Sequence, residues 1–390
     1  MAPYAVTSYA APARARTSSH TLGTFPKGLA MSRTTLPRTL LATCVLTVTA
    51  VLATGCGGSG SDAGSSSGGG KELHVYAWAG EIPDSVVKGF EKETGIKVTV
   101  DTFDSNETMT AKLSSGSSGY DLVEPSQYTV QQLIGQNLIQ PLDHSKIEGL
   151  GNLAPKFRTA TYDAGNKYSI PWIWGTTGFA YNDTCIKSAT SWKTLFDAKY
   201  KGKLYMLDNM LAAYIAGLQV TGHRATSTDK DEIAQATEAL QQQKKVLAGY
   251  NSTNYPQLLS TGQACAAEAW SGTAMAKVVA SDPHVHYVIP EEGGSIWTDG
   301  IAIPKGAKNV TSAYKFINYL LRPEVAAKAT DDGSSASANQ AARKLIKNKA
   351  ALENTAIYAP DEAIAKADFL LDPGTAMQYF QQGWTKVKAS

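Results

Sequence analysis

Between residues 72 and 103 the hydrophobic period of the chain changes twice, and this alternation narrows the fold more than any other feature. Leu73-His74-Val75-Tyr76-Ala77 alternates with the period of a strand, and Pro83-Asp84 then opens a helix with Asp84 as its N-cap. Val86, Val87 and Phe90 give that helix an apolar stripe, Gly95 stops it, and Ile96, Val98 and Val100 return to strand period. Strand, helix and strand in this order predict a β-α-β unit with a right-handed crossover and parallel strands. Further helices are predicted over 107–114, 129–135, 231–247 and 313–321, with short buried strands at 121–123, 204–207 and 286–289. The class is α/β, and ligands are expected at the carboxyl ends of strands.

Residues 1–55 carry five basic residues (Arg14, Arg16, Lys27, Arg33, Arg38), no acidic one, and a closing apolar run from Leu40 to Leu52. A basic segment followed by an apolar run too short to span a bilayer is the pattern of a signal peptide. Leu52-Ala53-Thr54-Gly55-Cys56 then resembles a bacterial lipobox, in which the cysteine thiol receives a diacylglycerol and becomes the mature N-terminus. Ala53 stands where leucine is usual, so the alternative is an ordinary cleaved signal with Cys56 there by chance. Met31 also opens a complete signal peptide, which makes Met1 to Ala30 either part of the leader or an untranslated extension. The stretch that follows to residue 71 is nearly all Gly and Ser and is expected to be a flexible tether, because it cannot bury enough apolar surface to offset chain entropy.

The remainder, about 320 residues, is the size of two domains rather than one. Without the five leader cations, 31 of the 36 Lys and Arg face 34 acidic residues, a balance that argues against a nucleic-acid partner. Cys44 leaves with the signal and Cys56 would carry lipid, so Cys185 and Cys265 remain, either as a disulfide or as two buried thiols.

Several segments are similar to the bacterial spermidine/putrescine-binding proteins. They are Tyr76-Ala77-Trp78, Glu93-Thr94-Gly95-Ile96-Lys97-Val98, Ser105-Asn106-Glu107-Thr108-Met109, Tyr120-Asp121-Leu122-Val123 and Pro125-Ser126. The similarity continues through Ser169-Ile170-Pro171 with Trp174-Gly175, Glu292-Gly293-Gly294 with Trp297 and Asp299, Ala302-Ile303-Pro304, and Leu320-Leu321-Arg322-Pro323. The resemblance implies the two-lobed periplasmic-binding-protein fold of type II, with lobe 1 over 72–180 and 299–340, lobe 2 over 181–298 and 341–390, and the ligand in the cleft between them. It further implies a monomeric, extracytoplasmic component of an ABC importer, anchored to the membrane through Cys56 and delivering its ligand to permease subunits. Ligand contact biases the hinge towards closure.

A linear alkylammonium needs aromatic faces for its methylenes and carboxylates to offset desolvation of its charge. Trp78 ends the first strand and matches a ligand-stacking tryptophan of the family; Ser126 and Tyr128 follow the strand 121–124 and match polar contacts. Trp270, after the strand-like 264–268, and Trp297 and Asp299, at the crossing between lobes, match binding positions, with Asp299 the best candidate to pair with an amine. Trp172 and Trp174 are read as structural, Asp121 as part of a strand entry, and His284 with His286 as surface residues rather than metal ligands. No metal or cofactor is expected.

Departures from the family bear on specificity. Asn209 and Ala212 stand where the family has acids, Gly80-Glu81 replaces a glutamate-tyrosine pair, Leu370 replaces a glutamine, and Ser334 or Ser335 falls near a tyrosine position. Glu81 or Glu268 either compensates or is simply a solvated carboxylate; Glu268 lies two residues from Trp270, hence on the same strand face. The ligand is accordingly expected to carry fewer charges than spermidine: putrescine, a quaternary amine or a zwitterion. An enzyme on this fold would need a nucleophile elbow or a paired-histidine helix, and neither occurs. An iron or anion binder would need converging tyrosines or an arginine at a helix N-terminus.

Overall fold

The alternation that begins at Leu73 becomes β1 (Glu72–Trp78), whose Leu73, Val75 and Ala77 are fully buried. The computed structural model describes residues 70–116, 118–333 and 335–390, so the signal peptide, Met31, Cys56, most of the tether and Ser334 lie outside the described residues. Helix α1 (Asp84–Thr94) buries Val86 and Phe90 and ends at Gly95, whose φ of 69° closes the last turn through a hydrogen bond to Glu91 O. Its N-cap is Pro83; Asp84, expected there, is the first helical residue and pairs with Lys88 one turn on. Strand β2 (Lys97–Phe103) pairs parallel with β1, completing the predicted unit.

The chain continues through α2 (Asn106–Ser114), β3 (Leu122–Val123), α3 (Gln127–Gly135), α4 (Pro155–Arg158) and the long β4 (Ser169–Asn182). Next come β5 (Leu204–Met206), α5 (Met210–Val220), α6 (Lys230–Lys244), β6 (Leu247–Tyr250), α7 (Tyr255–Ser260) and β7 (Ala266–Trp270). Then follow α8 (Thr273–Ser281), β8 (Val285–Val288), β9 (Ser295–Ala302), α9 (Val310–Leu320), α10 (Pro323–Gly333) and β10 (Ala336–Ser337). The chain closes with α11 (Lys349–Glu353), α12 (Asp361–Lys366), β11 (Asp368–Phe369) and α13 (Met377–Ala389). Most predicted elements shift by one to three residues at an end, and two of the shifts matter for the site. The helix expected over 231–247 starts at its cap Asp229 and stops at Lys244, because Leu247 is needed in β6 beside Leu204; and Trp270, expected just after a strand, is the last residue of β7.

The strands run in the order β2-β1-β3-β9-β4-β7-β5-β6, with β8 and β10 also on β4 and β11 on β9. β4 and β9 pair antiparallel from Ser169 to Thr177; beyond this β4 pairs with β7 and β8, so one fourteen-residue strand serves both halves of the sheet. In the half with β5 and β6, Trp192, Tyr214, Phe179 and Phe380 pack together, α13 lies against α5 and α6, and Cys185 and Cys265 form a disulfide with Cα atoms 5.4 Å apart. Among the described residues no helix is long and apolar enough to cross a membrane.

Candidate ligand-binding site

Two adjacent parallel strands, β1 and β3, deliver their carboxyl ends side by side. β1 ends in Trp78, and β3 is followed by Glu124, Pro125 and Ser126, the last at the cap of α3. The Trp78 backbone N–H donates to Glu124 Oε2 at 3.1 Å. Ser126 does not spend its hydroxyl on the helix: it donates to Asp299 Oδ1 at 2.5 Å and accepts from Asn106 Nδ2 at 3.0 Å, while Asn106 Nδ2 also reaches the Tyr128 hydroxyl at 2.8 Å. Asp299 therefore lies beside the amino end of α3, where the helix dipole favours negative charge. The Trp78 ring packs on Phe103 with centroids 4.5 Å apart, and its indole N–H, though turned towards Asp299, is buried without a partner of hydrogen-bond geometry.

Three carboxyl groups share this place. Glu124 is fully buried and Asp299 is 5% exposed; Glu81 is partly exposed as a residue, but its Oε2 is covered. Burial, then the Asp299 and Glu124 charges, hold Glu81 well above the usual carboxylate range. Burial and Asp299 do the same to Glu124, against the opposing Trp78 N–H. Burial pushes Asp299 up to about 7 in spite of the Ser126 hydroxyl. Among the described residues Glu81 Oε2 and Glu124 Oε1 have no hydrogen-bond partner, and no salt bridge reaches any of the three. A cluster of this kind is electrostatically incomplete: like charges and desolvation both disfavour ionisation, and an incoming cation relieves both.

Strand pleat carries the site further. On β4, Ile173 faces Asp299, Gly175 faces Trp297, Thr177 faces Trp270 and Phe179 faces Glu268. Directly paired residues share a sheet face, and alternate residues along β4 do too, so Asp299, Trp297, Trp270 and Glu268 lie on one face. Trp297 donates its indole N–H to Thr176 O at 3.1 Å. Its ring lies on Gly175 and Gly272; a Cβ at Gly175 would collide with the indole, and Gly272, at φ 104°, has a conformation that favours glycine. A cavity of about 190 Å³ lined by Trp174, Ile296, Tyr358 and Arg343 opens on the opposite face of the crossing strands, away from Asp299.

Residues 85–356 match the family described as bacterial extracellular solute-binding protein. The spermidine/putrescine-binding periplasmic protein of Escherichia coli is 37% identical over 320 residues, 81% of this chain and 91% of that protein. The chain belongs to the bacterial extracellular solute-binding proteins. Among solved structures, a putative spermidine/putrescine ABC transporter protein of Listeria monocytogenes is similar at TM-score 0.75 and 31% identity, covering 82% of this chain and 99% of its own. The TpPotD lipoprotein of Treponema pallidum is similar at TM-score 0.73 and 27% identity, covering 81% and 99%. These relatives share the two-lobed binding-protein fold with the ligand cleft between lobes, and the family's role is solute binding rather than catalysis.

In this solute-binding protein Trp78, Glu81, Ser126, Tyr128 and Asp299 gather at the ends of β1 and β3, and Trp270 and Trp297 line the shared face beyond. Asn209 stands apart: its side chain caps α5 by accepting the Ala212 N–H at 2.9 Å. Leu370 accepts from Gln127 Nε2 through its carbonyl and packs its side chain on the core beside β5, and His284 and His286 both bond the Asp183 carboxylate at the surface. Sequence reasoning missed Glu124. Its sole signal was an acid directly following a two-residue apolar strand, at a strand end where ligand contacts are expected.

Proposed function

We propose that this protein captures a linear di- or polyamine of the spermidine/putrescine kind between its lobes and hands it to the permease of an ABC importer. The observation that carries the reading is the set of buried carboxyl groups of Glu81, Glu124 and Asp299 around Trp78, with no salt bridge to any of them among the described residues. An ammonium group supplies the missing charge, and Trp78, Trp270, Trp297 and Tyr128 supply faces for methylenes and cationic ends. The names of the relatives point to the same ligands. Glu124, unforeseen in the sequence, offsets the acids lost at Asn209 and Ala212, so the site need not be limited to ligands with fewer charges than spermidine.

The lobes are assigned to 72–180 with 299–340 and to 181–298 with 341–390, β4 and β9 serving as the crossing strands. Closure brings ligand contacts from both lobes together, which biases the hinge towards the form the permease receives. Cys56 is assigned as the lipid anchor holding a monomer at the outer face of the cell membrane, in keeping with the lipoprotein from Treponema. Isothermal calorimetry of the purified chain with spermidine, putrescine, choline and a neutral sugar tests the ligand: heat with the amines alone supports the reading, and heat with the sugar alone ends it.

A further inference from the structure

A further buried carboxyl group lies one strand beyond β4 in the sheet. Glu268, in β7, is fully buried; its Oε2 accepts the Leu207 N–H at 3.1 Å and its Oε1 has no partner among the described residues. β7, β5 and β6 are parallel neighbours, so their carboxyl ends lie together, and there the Tyr250 hydroxyl and Ser252 Oγ are also buried without partners among the described residues. Tyr250 pairs with Met206 on β5, and the register of β5 on β7 puts Met206 opposite Glu268, so Tyr250 and Glu268 share a sheet face on either side of β5; burial first, and the Glu268 carboxyl second, raise the Tyr250 phenol. Lys388 sits 4.3 Å from the Tyr250 ring centroid but is held by the exposed Asp208 carboxylate at 2.7 Å, and no salt bridge among the described residues reaches Glu268.

Glu268 also shares a sheet face with Asp299, with Trp297 and Trp270 between them in register. Their partners on β4, Phe179 and Ile173, are six residues apart. At strand rise that is about 20 Å of backbone, a gap that two side chains reaching inwards can shorten to suit the roughly 11 Å between the end nitrogens of an extended triamine but not the roughly 6 Å of a four-carbon diamine.

We propose that Glu268, with Tyr250 and Ser252, forms a second cation subsite, so that the site holds a linear amine of spermidine length with one end at Asp299 and the other at Glu268. The methylenes then run past Trp297 and Trp270. The proposal rests on the amine-binding reading above and names the length and charge spacing of its ligand. A buried carboxylic acid with no task beyond holding the Leu207 N–H would be replaced by glutamine at no cost to ligand, since the amide oxygen accepts the same hydrogen bond.

Calorimetry on the purified chain and on Glu268→Gln, with spermidine and with putrescine, tests it. Spermidine is expected to weaken at least about tenfold in the variant and putrescine less than about threefold. Unchanged spermidine affinity, or equal losses for the two amines, overturns the subsite while leaving the amine reading intact. An unmodified chain that binds neither amine overturns both. If circular dichroism shows that Glu268→Gln does not fold, Tyr250→Phe replaces it: selective weakening of spermidine supports the subsite, and unaltered spermidine affinity overturns it.

Discussion

Where β1 and β3 end, three carboxyl groups share one buried neighbourhood; where β5 and β7 end, Glu268 stands with two hydroxyl groups and, among the described residues, no second buried acid. At the first end repulsion between like charges adds to desolvation, so an arriving cation relieves several groups at once. At the second, burial alone raises Glu268, to about 8, against the Leu207 N–H. The first arrangement is suited to anchoring any ammonium group and the second to choosing among ligands that reach it. Asp299→Asn is therefore expected to have the largest effect, a loss of about 2–5 kcal/mol for every amine the protein binds. A calorimetric series in which Asp299→Asn hurts only long amines would reverse the roles of the two ends.

Titration sharpens the same contrast. Asp299 rises from the ordinary range to about 7 in the folded protein, so between about pH 4 and 7 the native state keeps a proton that the unfolded chain has released. Stability of the ligand-free protein should thus fall as pH rises through that window, by at most about 1.4 kcal/mol per pH unit for each such group. Glu81 and Glu124 act in the same direction, and the phenols of Tyr128 and Tyr162, themselves raised mainly by burial, stay neutral throughout. Bound amine favours the ionised carboxylates, so affinity should increase with pH up to about 7 and binding should release protons. Melting temperatures against pH with and without spermidine, together with binding heats in two buffers of different ionisation enthalpy, measure both. A ligand-free protein whose stability is flat from pH 4 to 7 would mean that the cluster is relieved by something other than an amine.

Between the two ends lies the Trp297 ring, seated on Gly175. Gly175→Ala places a methyl group against that ring and the Ser271 hydroxyl, and should cost about 1–3 kcal/mol of stability while weakening long amines more than short ones. Chemical denaturation and calorimetry on one preparation separate the two effects. Equal weakening of all amines would mean that Trp297 shapes the anchor rather than the path between subsites.

The anchor was legible in the sequence to the extent that it hangs on strand ends. Trp78 closes an alternating strand, and Ser126 and Asp299 come from short motifs whose order matches a known family. Glu124 was not legible, because whether a glutamate after Leu122-Val123 is buried depends on β1 and β9, which lie beside it only in the fold. The end of α6 was misplaced for a related reason: Val246 and Leu247 continue a helical apolar spacing, and only the pairing of β6 with β5 decides that they leave the helix. The cysteines carried no local signal at all; their pairing follows from β7 lying beside β4. Patterns within one element survive reading from sequence, whereas burial of a polar group between elements does not.

Asn209 gives the smallest expected effect and the cleanest check on that distinction. Its position matches a ligand contact in the family, yet its Oδ1 accepts the Ala212 N–H and caps α5. Replacing it by alanine removes one cap and should lower stability by about 1 kcal/mol. Spermidine affinity should stay within about twofold, because the cationic end of the ligand is held by Glu268 rather than by the α5 cap. Thermal denaturation reads the first quantity and calorimetry the second. A loss of affinity larger than the loss of stability would return Asn209 to the ligand and make the α5 N-terminus, not the end of β7, the selective end of the site.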